Sequence, residues 1–428
     1  MKLFQKLLIT PAVLGLMTPL ASSASELNFA EVSGYSSSEE IENIREFDIS
    51  NDIAASTSNL NDLEQIANDF EAGSFSSTTT MSGSASFAIG ALNNSDEDYP
   101  NTSEAVNTQY SYNVDLNTSF NGDDNLYVGL EAGSANGLIL LDSTNINATT
   151  DTLYLNSLFY SLPVGGWDLA VGPKLDQDDL VATTTTKYSD SFLFSGGGFG
   201  NNVWTLPGLT GSGIAVQRVF DNGFNIGGNL IGTTASTSAG MFTKEGFDVK
   251  TIMVGYDGDN FGGGVIYTKY DDIWDVGDNT AQAWLNYYNV SKLALDTWSV
   301  GAYWSPSDNL TTNIGADIIE AEIGQPSDSF SDFTISADYA FNENNSFSAA
   351  WTNSNFLNTN GTVDKLGDAF EFYYTHNVND SMTLKGGVYI ASPDLDRGNG
   401  TTIRGGGTGD DFLLLNETIY ALETTFKF

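Results

Sequence analysis

The alternation of side chains through most of the chain constrains its fold more than any other feature. After Gly73, segments of about ten residues with an apolar side chain at every second position recur to the C-terminus. In "YNVDLNTSF", for example, Tyr112 and Val114 alternate with Asn113 and Asp115. Because successive side chains of a strand point to opposite faces, each segment predicts a β-strand with one apolar and one polar face.

The connections between these segments alternate in length. Short turns rich in Gly, Pro, Asn and Asp occur at residues 121–125, 163–166, 221–223, 257–260, 305–309, 342–345 and 377–381. Longer polar connections lie near residues 92–105, 133–151, 176–211, 232–246, 271–294, 322–329, 357–367 and 393–410. This order predicts about sixteen strands joined as successive hairpins, with both ends of the sheet on the short-turn side. Residues 280–290 fit either a further strand or part of a long connection.

Successive hairpins favour a closed barrel over two stacked sheets. An open sheet of so many strands would leave unpaired edges, which closure removes. Aromatic side chains also concentrate near the predicted strand ends, as they do at membrane interfaces. These are Tyr160, Trp167, Trp204, Trp298, Tyr303, Trp304 and Trp351. The sequence therefore predicts an all-β fold, a transmembrane antiparallel β-barrel of about 16 strands. A secreted β-sandwich binding module is the alternative.

The N-terminal region predicts export and a separate helical segment. Residues 1–24 combine Lys2 and Lys6 with an apolar run and small residues, the pattern of a secretory signal peptide cleaved after Ala24. Residues 25–72 carry sparse heptad positions that predict a periplasmic helical or short coiled-coil segment, which either pairs with copies of itself or forms a solvated linker. Residues 73–428 form the predicted outer-membrane barrel.

Composition narrows the class of partner. The chain has no cysteine, so strand pairing and burial must stabilise it without disulfides. Its net charge of −40 excludes nucleic acid as a partner. The sequence predicts no cofactor and no metal site, because the acidic clusters lack the spacing and the distal glutamate of a calcium loop. The single histidine, His376, lies near a short turn. An outer-membrane hydrolase in which His376 activates a serine nucleophile is the enzymatic alternative. The sequence has no nucleophile-elbow motif, so it predicts that the protein is not an enzyme.

Both ends of the predicted barrel resemble known outer-membrane sequences. Phe428, preceded at alternate positions by Tyr420, Leu422 and Phe426, resembles the signal that barrel-assembly machinery recognises on bacterial outer-membrane proteins. The segment "LEQIANDFEAGSFSSTTTMSGSASFAIGA" is similar to the junction of helix and barrel in cyanobacterial outer-membrane porins. This resemblance implies a homotrimeric porin in outer-membrane lipid. Members of that family also carry a module that reaches the peptidoglycan, but the roughly fifty residues before this barrel are too few for that module and a coiled coil together, so the resemblance does not extend to peptidoglycan contact.

The polar faces of the strands would line a lumen wide enough for water. The alternation predicts that acidic lining residues outnumber basic ones and that the channel passes small hydrophilic solutes with a mild cation preference. The predicted lining residues are Asp115, Glu131, Asp168, Lys174, Lys250, Asp317, Asp338, Glu371, Lys385 and Glu423. A structural or adhesive barrel with a plugged lumen is the alternative function. Ions, iron, phosphate, sugars and amino acids all remain open as solutes.

The longest connection, residues 176–211, is the third long loop and predicts a constriction. As in the trimeric porins that this sequence resembles, it would fold into the barrel and narrow the pore. Its charged residues are Asp176, Asp178, Asp179, Lys187 and Asp190, which we expect to face Arg218 or other basic residues of the wall. An ordinary exposed loop is the alternative.

Overall fold

The computed structural model describes residues 78–94, 106–134, 151–188, 205–206, 208–244, 246–273, 293–322, 327–357, 363–393 and 417–428. The predicted signal peptide and helical segment lie outside these residues, as do Asp190, Trp204 and residues 280–290. Within the described ranges, no helix is long and apolar enough to cross a membrane.

The described residues form sixteen β-strands of 9 to 17 residues. In chain order they are β1 Thr79–Asn94, β2 Val106–Thr118, β3 Asn125–Gly133, β4 Tyr154–Val164, β5 Trp167–Asp176, β6 Thr210–Val219, β7 Phe224–Gly232, β8 Asp248–Asp257, β9 Phe261–Ile273, β10 Leu293–Ser307, β11 Leu310–Glu322, β12 Ser327–Asn342, β13 Asn345–Leu357, β14 Val363–Asn379, β15 Met382–Pro393 and β16 Glu417–Lys427.

Each strand pairs with its neighbours in the chain, and β16 pairs with β1, so the sheet is a closed antiparallel barrel. The predicted fold is therefore confirmed, and two stacked sheets are excluded. Because β9 pairs directly with β10, the sixteen strands close without a strand from residues 280–290. The short turns predicted from sequence join the strands at one end of the barrel. At one of them, Gly165 and Gly166 adopt φ of 61° and 81°, the left-handed pair that a two-residue hairpin loop requires.

The outer face of the barrel is apolar. Residues opposite each other on paired strands share a face, and Ile314 of β11 lies opposite Ile335 of β12. These two side chains are 49% and 47% exposed. Further exposed apolar side chains, among them Val254, Val265 and Val300, lie on the same face. This arrangement reverses that of a soluble protein, in which exposed strand faces are polar.

The inner face is polar and shielded. Three positions along β11 from Ile314, and so on the other face, Asp317 lies opposite Asp332 of β12, and these residues are only 2% and 6% exposed. Thr334, Ser336 and Ser348 are buried on the same face. The polar faces predicted from the alternation therefore line the inside of the barrel.

Aromatic side chains form an outward belt next to the short turns. Phe224, Tyr256 and Phe261 stack in series at centroid distances of 5.1 Å and 5.5 Å. Tyr339 packs edge-on against Phe341 at 5.2 Å, further round the belt. Of the aromatic residues predicted near strand ends, Trp167 begins β5 and Trp304 lies three residues from the end of β10, but Tyr160 and Trp351 lie near the middle of β4 and β13. Tyr303 is 2% exposed and donates its hydroxyl to Asp257 inside the barrel, so it does not belong to the belt.

The C-terminal residues are part of the sheet. Tyr420, Leu422 and Phe426 of β16 lie on the outward face, opposite Ala91, Ile89 and Ala85 of β1. Phe428 extends this pairing beyond the strand, because its backbone exchanges two hydrogen bonds with Gly83. The chain end is therefore held by the closing seam of the barrel.

Candidate channel

The connection between β5 and β6 begins inside the barrel. At its start, the side chain of Asn229 donates to the carbonyl oxygen of Gln177 at 2.6 Å. Further on, the hydroxyl of Thr183 donates to Asn225 Oδ1 at 2.7 Å. Both asparagines belong to β7 and are buried on its inner face. We call the described residues of this connection, 177–188, 205–206 and 208–209, the inward loop, and these contacts pack it against the inner wall.

Small hydroxyl side chains of the wall fix the two ends of the inward loop to each other. Gln177 Nε2 donates to Thr205 O at 2.6 Å and to Thr251 Oγ1 of β8 at 3.1 Å. Thr205 O also accepts from Thr268 Oγ1 of β9 at 2.7 Å, and Thr205 Oγ1 lies 2.8 Å from Ser299 Oγ of β10. Residues from both ends of the loop thus share one buried network on β8 to β10.

Lys187 attaches the inward loop to a deeper part of the wall. Its amide donates to Asn313 Oδ1 of β11 at 2.7 Å. Its Nζ lies 3.3 Å from Asp257 Oδ1 and 4.0 Å from the ring centroid of Tyr303. Asp257 ends β8 beside a short turn, so the loop reaches the short-turn end of the lumen.

Tyr188 carries the loop across the lumen to β14. Its hydroxyl donates to Glu371 Oε1 at 3.0 Å, and its ring packs edge-on against Tyr373. Tyr188 is 5% exposed and Glu371 is 0% exposed. Burial and the Glu371 charge raise the pKa of Tyr188 far above its usual value, so its hydroxyl remains a donor. In the sixteen-strand order β14 stands almost opposite β5, where the loop begins.

Three acidic residues crowd the root of the inward loop. Asp176 Oδ1 accepts from the amide of Gln177 at 2.6 Å, and Asp179 Oδ2 accepts from the amide of Asp176 at 2.8 Å. Burial, with the charge of Asp176 adding to it, raises the pKa of Asp179 to about 6 and that of Asp178 to about 7. Asp178 retains an exposed side, so the rise there depends on crowding around its carboxyl group rather than on complete removal from water.

Eight of the ten residues predicted to line the lumen lie on the inner face. These are Asp115, Glu131, Asp168, Asp317, Asp338, Glu371, Lys385 and Glu423. Lys385 lies directly opposite Glu423, and Asp338 accepts from the hydroxyl of Ser348 at 2.5 Å. At these eight positions the alternation in the sequence therefore predicted the correct face of the strand.

Lys174 and Lys250 were predicted to line the lumen, and this prediction is wrong for both. The pairing of β5 with β6 shifts between Gly172 and Leu175, so Leu175 is fully buried and Lys174 leaves the inner face. Lys174 Nζ donates instead to Leu155 O at 2.8 Å. Lys250 shares the outward face of Ile252 and forms an ion pair with Asp271. Lysine at the end of a strand can lie outside the apolar band with its charge paired, so charge alone does not mark the inner face.

Arg218 does not face the inward loop. It lies opposite Ile226 of β7, on the outward face that it shares with Ile214 and Val216. Its guanidinium carbon is 5.8 Å from the ring centroid of Trp167 and 4.9 Å from that of Phe220. The predicted contact between the loop and Arg218 is therefore wrong, and Asp257 is the wall residue that meets Lys187.

Two tyrosines donate to carboxylates on the inner face, and neither was among the residues predicted to line the lumen. Tyr127 donates to Asp115 Oδ1 at 2.6 Å, and Tyr154 donates to Glu131. Tyr127 lies at the same alternate positions of β3 as Glu131, and this spacing could have identified it.

His376 lies on the outward face opposite Asn345, and Nδ1 of His376 is 2.9 Å from Oδ1 of Asn345. Among the described residues, no group of three or more His, Cys, Asp or Glu side chains is arranged to hold a metal ion.

The barrel is similar to solved outer-membrane structures. OmpT, an outer membrane protein of Vibrio cholerae, has a TM-score of 0.55 at 9% identity, over 82% of this chain and 97% of that one. A trimer form of the same protein gives 0.53 at 11% identity, over 82% and 99%. A mutant of the Rh. blastica porin gives 0.46 at 15%, over 82% and 100%. No protein-family model and no curated protein matches the chain. At these identities the likeness to OmpT shows a shared fold.

Proposed function

We propose that the chain is an outer-membrane porin, a non-enzymatic channel through which small hydrophilic solutes or ions diffuse passively. Its exposed outward side chains are apolar, and an aromatic belt lies at the short-turn end. In hydrocarbon every backbone polar group must be paired within the protein, and a closed barrel meets that requirement. The short turns would then face the periplasm and the long connections the cell exterior.

The observation that carries the proposal is that the described contacts of the inward loop fall on only part of the inner wall. The contacts of the inward loop described above fall on β7 to β11 and on β14. Asp115 of β2 and Glu131 of β3 lie away from these contacts and are partly exposed on the inner face, whereas Glu423 of β16 is only 1% exposed. Asp115 and Glu131 would therefore border the passage that the loop leaves open. Carboxylates beside a narrow aqueous passage concentrate cations, which gives the mild cation preference that we propose.

The assembly that we propose follows the resemblance given above. The signal peptide would direct export, the barrel-assembly machinery would recognise the C-terminal strand, and three copies would associate in outer-membrane lipid. The trimer form of Vibrio cholerae OmpT has the same fold and supports this stoichiometry. Residues 25–72 would remain in the periplasm, and we propose no peptidoglycan contact for them.

A second candidate function is a structural or adhesive barrel whose lumen is plugged. The observation that favours it is the depth at which the inward loop is held, since Tyr188 and Glu371 are almost completely buried. A loop fixed in this way could close the passage. Measured conductance separates the two functions, because a plugged barrel would fold and insert without carrying current.

The test of the porin function is the reversal potential of the reconstituted barrel across a gradient of potassium chloride. The proposal predicts a potential displaced toward the potassium equilibrium value. It also predicts a smaller displacement in the double variant Asp115→Asn and Glu131→Gln, which removes two inner charges. Lys250→Gln is the matched control, because Lys250 lies on the outward face and its removal should leave the potential unchanged. A potential displaced toward the chloride value contradicts the preference.

A further inference from the structure

Arg218 is a cation on the outward face with no acidic partner among the described residues. The strand pairing places it opposite Ile226, with Ile214 and Val216 on the same face of β6. Ion pairs between described residues join Lys187 to Asp257, Lys250 to Asp271 and Lys269 to Asp296. The two outward lysines of that set thus have their charges matched, whereas the guanidinium of Arg218 has a half-buried setting without a carboxylate.

Two aromatic rings hold the guanidinium in place. Its central carbon lies 4.9 Å from the ring centroid of Phe220 and 5.8 Å from that of Trp167. Gly166 lies on a third side, where an added Cβ would be 3.6 Å from the guanidinium carbon. Cation–π contacts of this kind fix the group while leaving its N–H donors free for another acceptor.

The depth of Arg218 matches a lipid headgroup. Trp167 is the first residue of β5, and Val219, which follows Arg218, is the last residue of β6. The pair therefore lies at the short-turn end, within the outward aromatic belt that includes Phe224 and Tyr256. Tryptophan and tyrosine at barrel ends mark the headgroup level of a bilayer. At that level the anionic acceptor available to an unpaired guanidinium is a phosphate.

We propose that Arg218, held between Trp167 and Phe220, binds the phosphate of a phospholipid in the leaflet that faces the periplasm. Guanidinium donates two parallel N–H bonds to phosphate oxygens, and the rings beside it contact the glycerol and upper acyl region. The chain carries a net charge of −40, so a general attraction of the protein for anionic lipid does not account for such binding. The inference rests on the proposed membrane location.

The experiment uses the full-length mature chain, folded and purified in detergent, and counts bound lipid by native mass spectrometry. The probes are phosphatidylglycerol and diacylglycerol, which lacks the phosphate. We expect the wild-type barrel to retain phosphatidylglycerol in preference to diacylglycerol. Arg218→Gln should weaken retention of phosphatidylglycerol about fivefold, the effect of one basic group at a membrane surface. Arg218→Lys should lose part of it, because lysine keeps the charge but not the paired donors.

Lys244→Gln is the matched control. It removes the same charge from an exposed residue of the connection between β7 and β8, at the other end of the barrel. The proposal is overturned if Arg218→Gln retains lipid as the wild type does, or if Lys244→Gln loses as much. It is also overturned if inorganic phosphate at the concentration of the lipid displaces it. Circular dichroism and heat-dependent gel mobility confirm that each variant is folded.

Measuring lipid binding and conductance on the same preparations distinguishes a failure of the proposed lipid site from a failure of the proposed porin function. Conductance is measured on the same preparations, and Arg218→Gln should conduct as the wild type does, because Arg218 lies outside the lumen. A barrel that binds phosphatidylglycerol through Arg218 but carries no current contradicts the porin function alone. A conducting barrel with no dependence of lipid binding on Arg218 contradicts the lipid site alone.

Discussion

Gly83 and Phe428 close the barrel by exchanging two backbone hydrogen bonds, Gly83 N to Phe428 O at 2.9 Å and Phe428 N to Gly83 O at 3.0 Å. The ring of Phe428 lies over Gly83 and stacks on Tyr112 at 5.8 Å. A Cβ at position 83 would approach Phe428 Cζ to 2.7 Å and the backbone oxygen of Asn113 to 2.5 Å. Glycine is therefore required there by the ring and the neighbouring strand together.

Gly83→Val should destabilise the barrel by about 1–3 kcal/mol, the usual cost of forcing extra atoms into a packed site. The measurement is the temperature at which the folded band disappears in heat-dependent gel mobility. Gly386→Ala is the control, because the nearest atom to its added Cβ is the flexible end of Leu422 at 3.3 Å. Equal stability of the two variants would remove the steric role of Gly83.

The contact between Tyr188 and Glu371 should limit movement of the inward loop. Tyr188→Phe leaves the buried Glu371 without this donor, which should weaken loop anchoring by about 1–3 kcal/mol. We expect larger current fluctuations through single channels. Tyr374→Phe is the control, because that hydroxyl donates to Asn345 on the outward face. Indistinguishable noise in Tyr188→Phe and the wild type would show that the contact does not hold the loop.

Cation preference should weaken as the pH falls from 8 to 5. Asp179 has a pKa raised to about 6 and that of Asp178 is raised to about 7, so both lose negative charge in this range, whereas an ordinary Asp stays charged until about pH 4. The double variant Asp178→Asn and Asp179→Asn should flatten the dependence of reversal potential on pH. Asp123→Asn, in an exposed turn, should retain it. A double variant with the full wild-type dependence would assign the titration to other groups.

Lys187 and Asp257 should affect selectivity in opposite directions. Lys187→Met removes a positive charge from the lumen and should increase cation preference, whereas Asp257→Asn leaves Lys187 unpaired and should decrease it. Both side chains are partly exposed, so either change should alter stability by less than about 1 kcal/mol. Reversal potentials and thermal unfolding measure the two effects. Shifts of the same sign would show that this pair lies away from the permeation path.

The strand order could be predicted because two patterns depend only on local sequence. Polar turns such as "NGDDN" alternate with long connections, and apolar side chains recur at every second position. These patterns fixed the number of strands and the faces of Asp115 and Lys385. They depend on unbroken alternation, however. At Pro173 and Lys174 the register of β5 shifts, and a register shift cannot be recognised from alternation alone.

The remaining differences arise from tertiary contacts. Val249 and Met253 are apolar but lie on the inner face, where they are almost completely buried, so β8 has apolar side chains on both faces and the position of Lys250 was ambiguous. Tyr303 faces inward because Asp257 and Lys187 provide polar partners there. Arg218 faces outward because Trp167 and Phe220 flank it. Phe220 lies two positions from Arg218, and the other partners are distant in sequence from the residues that they position.

An open aqueous passage beside the inward loop would let small solutes cross a membrane that contains the barrel, and liposome swelling measures that permeability. Vesicles that contain the folded barrel are diluted into uncharged sugars of increasing size, and the rate of swelling is compared with that of empty vesicles. We expect rapid swelling with small sugars and a swelling rate that falls as the size of the sugar increases. Vesicles with folded, inserted barrel that swell no faster than empty vesicles, even with the smallest sugar, would contradict it.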